Sequence, residues 1–140
     1  MIRARYQCYR ADRELIAWRL LAGNNRVLGV SSHRYRALEQ AVAAIRHVHH
    51  AVERGEFAIE RQAGGLWWWD LTARSGPLAH SPQGFARRVD ARLAADRFRS
   101  NATVAEIEQG LSLFESGRRG RTLSGGRSAR PELPRPRSQD

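Results

Sequence analysis

The chain has 140 residues, among them 24 arginines, no lysine and 14 acidic residues, which together give a formal net charge of +10. This length predicts one domain followed by a tail, and the charge favours weak contacts with polyanions. A single cysteine, Cys8, excludes an internal disulfide and a site built from several cysteines. No apolar run reaches the ~18–20 residues of a membrane span, and the first residues do not resemble a secretory signal. We therefore expect a cytoplasmic protein without membrane contact.

The first copy of an internal repeat, Tyr6–His49, predicts three strands and a helix. Its apolar side chains recur with a period of two and then with a period of about 3.6. The alternation predicts strands at 6–9 and 16–20, and the Gly-Asn-Asn turn leads into a third strand at 26–30. A helix follows at about 37–49, with an apolar stripe wide enough to cover one face of the sheet.

The second copy, Phe57–Arg99, follows about 51 residues later. Its pattern predicts strands around Phe57 and Trp69, a short third strand at Leu78 and a helix at about 86–99. The corresponding pairs include Tyr6 with Phe57, Trp18 with Trp69, and Tyr35 with Phe85. Apolar side chains lie on two sides of the second helix, which predicts either two buried faces or a different register. A repeat of this kind indicates two similar units.

One β-β-β-α unit of about 45 residues buries too little apolar surface to be stable alone. The sequence therefore predicts an α+β domain in which two tandem β-β-β-α repeats of antiparallel strands are related by a pseudo-twofold axis. The predicted boundaries are 1–54 for the first repeat, 55–108 for the second, and 109–140 for a linker and basic tail. Residues 101–116 fit either a short strand around 106–108 or an amphipathic helix.

Shared positions of the two copies also match a known repeat pattern. In the first copy they are Tyr6, Tyr9, Trp18-Arg19-Leu20, Asn24-Asn25 and Tyr35. In the second copy they are Phe57, Trp67, Trp69, Leu71, Gly76, Phe85 and Asn101-Ala102. Over residues 5–108 the chain resembles the YegP-like family, small bacterial and archaeal proteins of unknown function, although Asp70 replaces the family's arginine. The resemblance implies an α+β tandem fold and self-association, and it supplies no catalytic residues.

Trp68, the middle one of three consecutive tryptophans, is the residue that most clearly suggests a binding site. It lies between Trp67 and Trp69, and strand alternation places those two neighbours in the core and Trp68 on the opposite face. An indole at that position is either covered, by the second helix, the tail or a partner chain, or exposed for a protein contact or for base stacking. We favour the covered alternatives.

Arginines form the second candidate surface. Arg19, Arg26 and Arg74 on the folded part and Arg118, Arg119 and Arg121 in the tail are candidates for binding nucleic acid or an acidic protein surface. If the folded part binds nucleic acid, its arginines at 19, 26, 34, 36 and 74 should converge on one face of the sheet. From Gly117 the chain is rich in Arg, Gly, Ser and Pro, which is typical of a disordered tail.

Metal binding and catalysis receive little support from the sequence. His47, His49 and His50 cluster near the end of the first helix, where histidines also occur because they interact well with its negative pole. No nucleophile elbow, phosphate loop or pair of catalytic carboxylates is present. We therefore expect no cofactor and no enzymatic activity. The leading hypothesis is a protein that acts by homodimerisation or another protein contact, and the alternative is a weak, charge-driven nucleic-acid-binding protein.

Overall fold

The computed structural model describes residues 3–112, which form seven strands and two helices. In chain order these are β1 (Arg5–Arg10), β2 (Ile16–Leu21), β3 (Val27–Ser31), α1 (Leu38–Ala51), β4 (Glu56–Arg61), β5 (Trp67–Ala73), β6 (Gly76–His80), α2 (Arg88–Ala102) and β7 (Glu106–Ser112). The predicted α+β class is confirmed. The tail predicted from residue 117 onward, with Arg118, Arg119 and Arg121, lies outside the described residues.

All seven strands belong to one sheet in the order β4-β5-β6-β3-β2-β1-β7. Neighbouring strands are antiparallel except β1 and β7, which are parallel, so the sheet is mixed rather than antiparallel throughout. The predicted first and second segments meet where β3 pairs with β6, through Val30 opposite His80 and Ser31 opposite Ala79. This short junction makes the sheet continuous across both segments.

Residues 101–116 were predicted to form either a short strand or an amphipathic helix, and the described part of this range contains the strand β7, because residues 106–112 are extended and not helical. Its apolar side chains Ile107 and Leu111 pack against the core beside β1. Between them the register shifts, and Gly110 has a φ of 78°, a conformation that glycine adopts without steric cost. The bulge places two extra residues in β7 between the Tyr6–Ile107 and Cys8–Leu111 pairs, and both apolar side chains stay on the core side of the sheet.

Both helices pack on the same face of the sheet. The ring of His49 in α1 lies 5.3 Å from that of Tyr6, and the Tyr6 hydroxyl donates a 2.8 Å hydrogen bond to the carbonyl oxygen of Ala102 in α2. Further along α2, the Phe98 ring lies 4.9 Å from the ring of Trp69. Tyr6 and Trp69 are completely buried, so the core fills the space between the sheet and the helices.

The helix α2 buries a single face. Its buried side chains are Ala91, Ala95, Phe98 and Ala102. Val89 and Leu93 are 51% and 53% exposed, so of the two predicted alternatives the one with two buried faces is wrong. Small alanines let the helix approach the sheet closely, and Phe98 then fills the centre of the interface.

Candidate functional site

The other face of the sheet, which we call the open face, is covered by neither helix. A row of six side chains crosses it from β1 to β4, each opposite its neighbour: Gln7, Arg19, Val30, His80, Asp70 and Ala58. All of them except Ala58 are half-buried. Of this row, only Arg19 was a site residue predicted from the sequence. Alternation along each strand predicts which of its residues lie on this face. The pairing of β3 with β6 is needed to join the two halves of the row.

Arg19 is held in place on the open face by its neighbours. Its Nε and Nη2 atoms donate hydrogen bonds of 2.9 and 2.6 Å to Gln7 Oε1, and its guanidinium carbon lies 4.8 Å from the centre of the Tyr9 ring. Gln7 Nε2 in turn donates a 3.1 Å bond to Glu108. These contacts hold the planar guanidinium of Arg19 in one orientation on the open face.

Trp68 lies on the same open face, two residues before Asp70 and opposite Glu60 of β4. Its side chain is half-buried, and α2 does not cover it because α2 packs on the other face. Its neighbours are Leu66, which is 43% exposed, and Gly84, where an added Cβ would lie 2.9 Å from the indole nitrogen. The loop that contains Gly84 thus covers part of the indole and leaves the remainder accessible.

The other predicted arginines of the described residues do not converge on this face. Arg26 lies in the β2–β3 turn and Arg74 in the β5–β6 turn. These turns are at opposite ends of the sheet, because β2 and β5 run in opposite directions. Arg34 forms a 3.2 Å ion pair with Asp12, and Arg36 directly precedes α1. Arg19 is therefore separated from the arginines at 26 and 74.

A cleft of about 760 Å³ lies where α1 ends beside β4 and β5. Its polar lining includes His47, His50, Arg54, Glu56 and Arg74. His49 does not line this cleft: its Nε2 atom lies 3.0 Å from the carbonyl oxygen of Ala105. Within residues 3–112, no three His, Cys, Asp or Glu side chains form a group that would hold a metal ion. In the same range, no helix has the length and apolar character needed to cross a membrane.

The buried thiol of Cys8 gives a prediction for alkaline pH. Burial raises the pKa of Cys8 from its ordinary value of 9.0 to about 11. The folded chain thus holds this proton more tightly than the unfolded chain does. The contribution of this thiol to the free energy of unfolding should be constant below about pH 9 and should fall as the pH rises from about 9 towards 11. Burial also raises the pKa of Tyr6, which acts in the same direction.

Urea denaturation of the wild type and of Cys8→Ala between pH 8 and 10.5 measures this effect. The wild type should lose more stability across that interval than Cys8→Ala. Equal losses in the two proteins would contradict the assigned role of the thiol.

Two solved structures have this fold. The solution NMR structure of a UPF0339 protein from Shewanella oneidensis matches with a TM-score of 0.65 and 18% sequence identity, over 76% of this chain and 91% of that one. The solution NMR structure of yegP from E. coli, a protein of unknown function, matches with a TM-score of 0.62 and 16% identity, over 79% and 96%. No protein-family model and no curated protein matches the sequence. The resemblance to YegP-like proteins is therefore confirmed at the level of the fold.

Proposed function

We propose that this chain, whose fold is shared with proteins of unknown function, acts without catalysis as a protein-contact module and binds its partner through the open face. The observation that carries the proposal is the half-buried Trp68 on a sheet face that no helix of the described residues covers. Tryptophan is enriched among the residues that contribute most to protein–protein binding, because its large ring has few rotatable bonds. The indole offers apolar area for the contact, and the ordered polar side chains of the row beside it would make that contact specific for one partner.

The composition of the open face supports contact with a protein. Tyr9, Val30 and Trp68 provide apolar surface, while Arg19 and Asp70 provide opposite charges in one row. Aromatic side chains and arginine are the residue types enriched in protein interfaces. A pleated face of this kind also packs well on another sheet, at a separation of about 10 Å.

Nucleic-acid binding by the folded part receives less support. Phosphate contacts along a backbone require cations that follow one path, whereas Arg26 and Arg74 lie at opposite ends of the sheet. Arg34 is already paired with Asp12. The open face also carries acidic side chains, including Glu60 and Asp70, which repel phosphate.

Hydroxyl-radical footprinting tests the proposed contact without assuming the partner. We expect Trp68 to be oxidised more slowly in the host lysate than in dilute purified protein, because a bound partner shields the indole. Leu93 is the internal control, since it is exposed on α2 and lies on the other side of the sheet. The readout is therefore the ratio of Trp68 oxidation to Leu93 oxidation, and an equal ratio under both conditions would contradict the proposal.

We also infer that the two β-β-β-α units are copies of one repeat related by a pseudo-twofold axis. Two equivalent pairs of contacts support this inference. The backbone N–H groups of Trp18 and Trp69 donate to Ser31 Oγ and Ser81 Oγ at 3.2 and 3.3 Å. Isolated bridges join Ile16 to Tyr35 and Trp67 to Phe85.

A further inference from the structure

We propose that the cleft at the end of α1 binds the phosphate group of a small phosphorylated molecule. The cleft has a volume of about 760 Å³, and Trp68 does not line it, so this site is separate from the proposed protein contact. Sites for small molecules typically have volumes of about 300–1,000 Å³. A bare ion fills only a small part of such a space, so the ligand has a body as well as a phosphate group.

Basic side chains from three segments of the chain line this cleft. His47 and His50 are three residues apart on α1 and are therefore neighbours on its surface. Arg54 comes from the turn between α1 and β4, and Arg74 from the turn between β5 and β6. Arginine donates paired hydrogen bonds to phosphate oxygens, and an imidazole carries at least one N–H donor in either charge state. The fold thus brings two guanidiniums and two imidazoles to one cleft.

These four basic side chains are available to a ligand. All four are exposed, and within residues 3–112 none of them forms a side-chain hydrogen bond or an ion pair. Other exposed arginines are already paired: Arg34, Arg87 and Arg92 each lie within 3.6 Å of an aspartate oxygen. A phosphate group can therefore bind in the cleft without breaking an existing contact of these side chains.

Two features of the cleft oppose an anion, but they are weaker than its positive charge. Glu56 contributes one negative charge, and the C-terminal pole of α1 contributes about half a charge. That pole is partly satisfied, because the carbonyl oxygen of Ala51 accepts hydrogen bonds from the N–H groups of Arg54 and Gly55 at 3.0 and 2.6 Å. The two guanidiniums carry two full positive charges, so the sum remains positive even when both imidazoles are neutral.

The arrangement of the donors favours phosphate over carboxylate. A carboxylate is planar, and a single guanidinium can bind both of its oxygens. A phosphate ester has three strongly accepting oxygens that point in different directions. Donors that enter from α1 and from two separate turns can therefore all reach one phosphate group.

The other lining residues fit the body of the ligand. Ala51, Gly55 and Ala73 are small and leave room for it. Glu56 and Thr72 lie opposite each other on β4 and β5, and both line the cleft. A carboxylate accepts hydrogen bonds from hydroxyl groups. The site is thus suited to a phosphate ester that carries hydroxyl groups, such as a sugar phosphate.

An NMR titration of the full-length ¹⁵N-labelled protein with ribose 5-phosphate tests this site. We expect the amide signals of Arg54, Gly55, Ala73 and Arg74 to shift with a common dissociation constant. The indole signal of Trp68 should keep its position, because Trp68 does not line the cleft.

Substitution of each arginine tests the role of its charge. Arg54→Gln and Arg74→Gln should each weaken the binding of ribose 5-phosphate by about 10-fold, because each removes charge-assisted hydrogen bonds. Arg26→Gln is the matched control: it removes the same charge from the turn at the opposite end of the sheet and should change the dissociation constant by less than about twofold. The amide spectrum of each variant also reports whether it is folded.

Glu56→Gln tests the position assigned to the body of the ligand. It removes the repulsion between Glu56 and the anion, so inorganic phosphate should bind several-fold more tightly. Ribose 5-phosphate should gain less, because its hydroxyl groups lose a charged acceptor. The preference for ribose 5-phosphate over inorganic phosphate should therefore fall.

Four results would overturn the proposal. The first is that neither ribose 5-phosphate nor inorganic phosphate shifts these amide signals at millimolar concentrations. The second is that Arg26→Gln weakens binding as much as Arg74→Gln, which would indicate attraction to the net charge alone. The third is tighter binding of citrate than of ribose 5-phosphate, and the fourth is that a short single-stranded DNA shifts the same signals at lower concentrations. The proposed protein contact fails on a different observation, which is the absence of Trp68 protection in the lysate.

Discussion

Replacing Phe98 with alanine should lower the free energy of unfolding by about 3–5 kcal/mol, because the ring fills the centre of the interface between α2 and the sheet. Phe98 is completely buried, and its ring lies 4.9 Å from that of Trp69 and 6.3 Å from that of Phe57. Truncation leaves a cavity that those rings cannot fill without breaking their other contacts.

Urea denaturation monitored by circular dichroism measures this loss. The control is Leu93→Ala, which removes an exposed leucine from the same helix and should change stability by less than about 0.5 kcal/mol. Because alanine has the highest helix propensity, neither loss can come from propensity, and a loss of similar size in the two variants would contradict the packing role assigned to Phe98.

The second large effect is expected from Gly29→Ala. Gly29 lies on the helix-covered face of β3, where an added Cβ would lie 2.5 Å from Cε1 of Phe98 and 3.0 Å from Cη2 of Trp69. The ring and the strand must both move to admit one methyl group. Overpacking of this kind costs about 1–3 kcal/mol, and the loss of glycine's flexibility in the unfolded chain offsets only part of it.

A double-mutant cycle tests whether the cost of Gly29→Ala arises from its contact with Phe98. In the Phe98→Leu background the smaller side chain provides room for the methyl group, so Gly29→Ala should destabilise less than it does in the wild type. Both backgrounds can be compared by the same urea denaturation. An equal cost in the two backgrounds would place the strain elsewhere in β3.

The core of the fold could be predicted from the sequence because it depends on local periodicity. Alternation in 16–20 and 67–71 placed Trp18 and Trp69 in the core, and both are completely buried. The change to a helical period predicted α1 and α2 close to their observed bounds. These patterns show which side of each strand or helix faces the core, and they can be read from the residues of that strand or helix alone.

Pairings between distant strands could not be predicted in the same way. The parallel contact of β7 with β1 joins residues about 100 positions apart, and the β3–β6 junction joins Val30 to His80. No local pattern specifies either pairing. For the same reason the row from Gln7 to Asp70 was missed, although alternation placed Trp68 on the correct side of β5.

The prediction of what covers Trp68 was limited in the same way, because it also depends on contacts between distant parts of the chain. The sequence favoured a covered indole and named α2, the tail or a partner chain as its cover. The structure excludes α2, because that helix packs on the other face, and leaves the indole half-buried beside the loop at Gly84. A bound protein partner remains our proposed cover for the accessible part of the indole.

The most direct test of the proposed contact follows the indole ¹H–¹⁵N NMR signal of Trp68 in ¹⁵N-labelled protein, first purified and then in unlabelled host lysate. We predict that this signal shifts in the lysate while the amide signals of Val89 and Leu93 on α2 keep their positions, because the open face and not α2 meets the partner. Shifts confined to α2, or a Trp68 signal that does not move, would contradict the account.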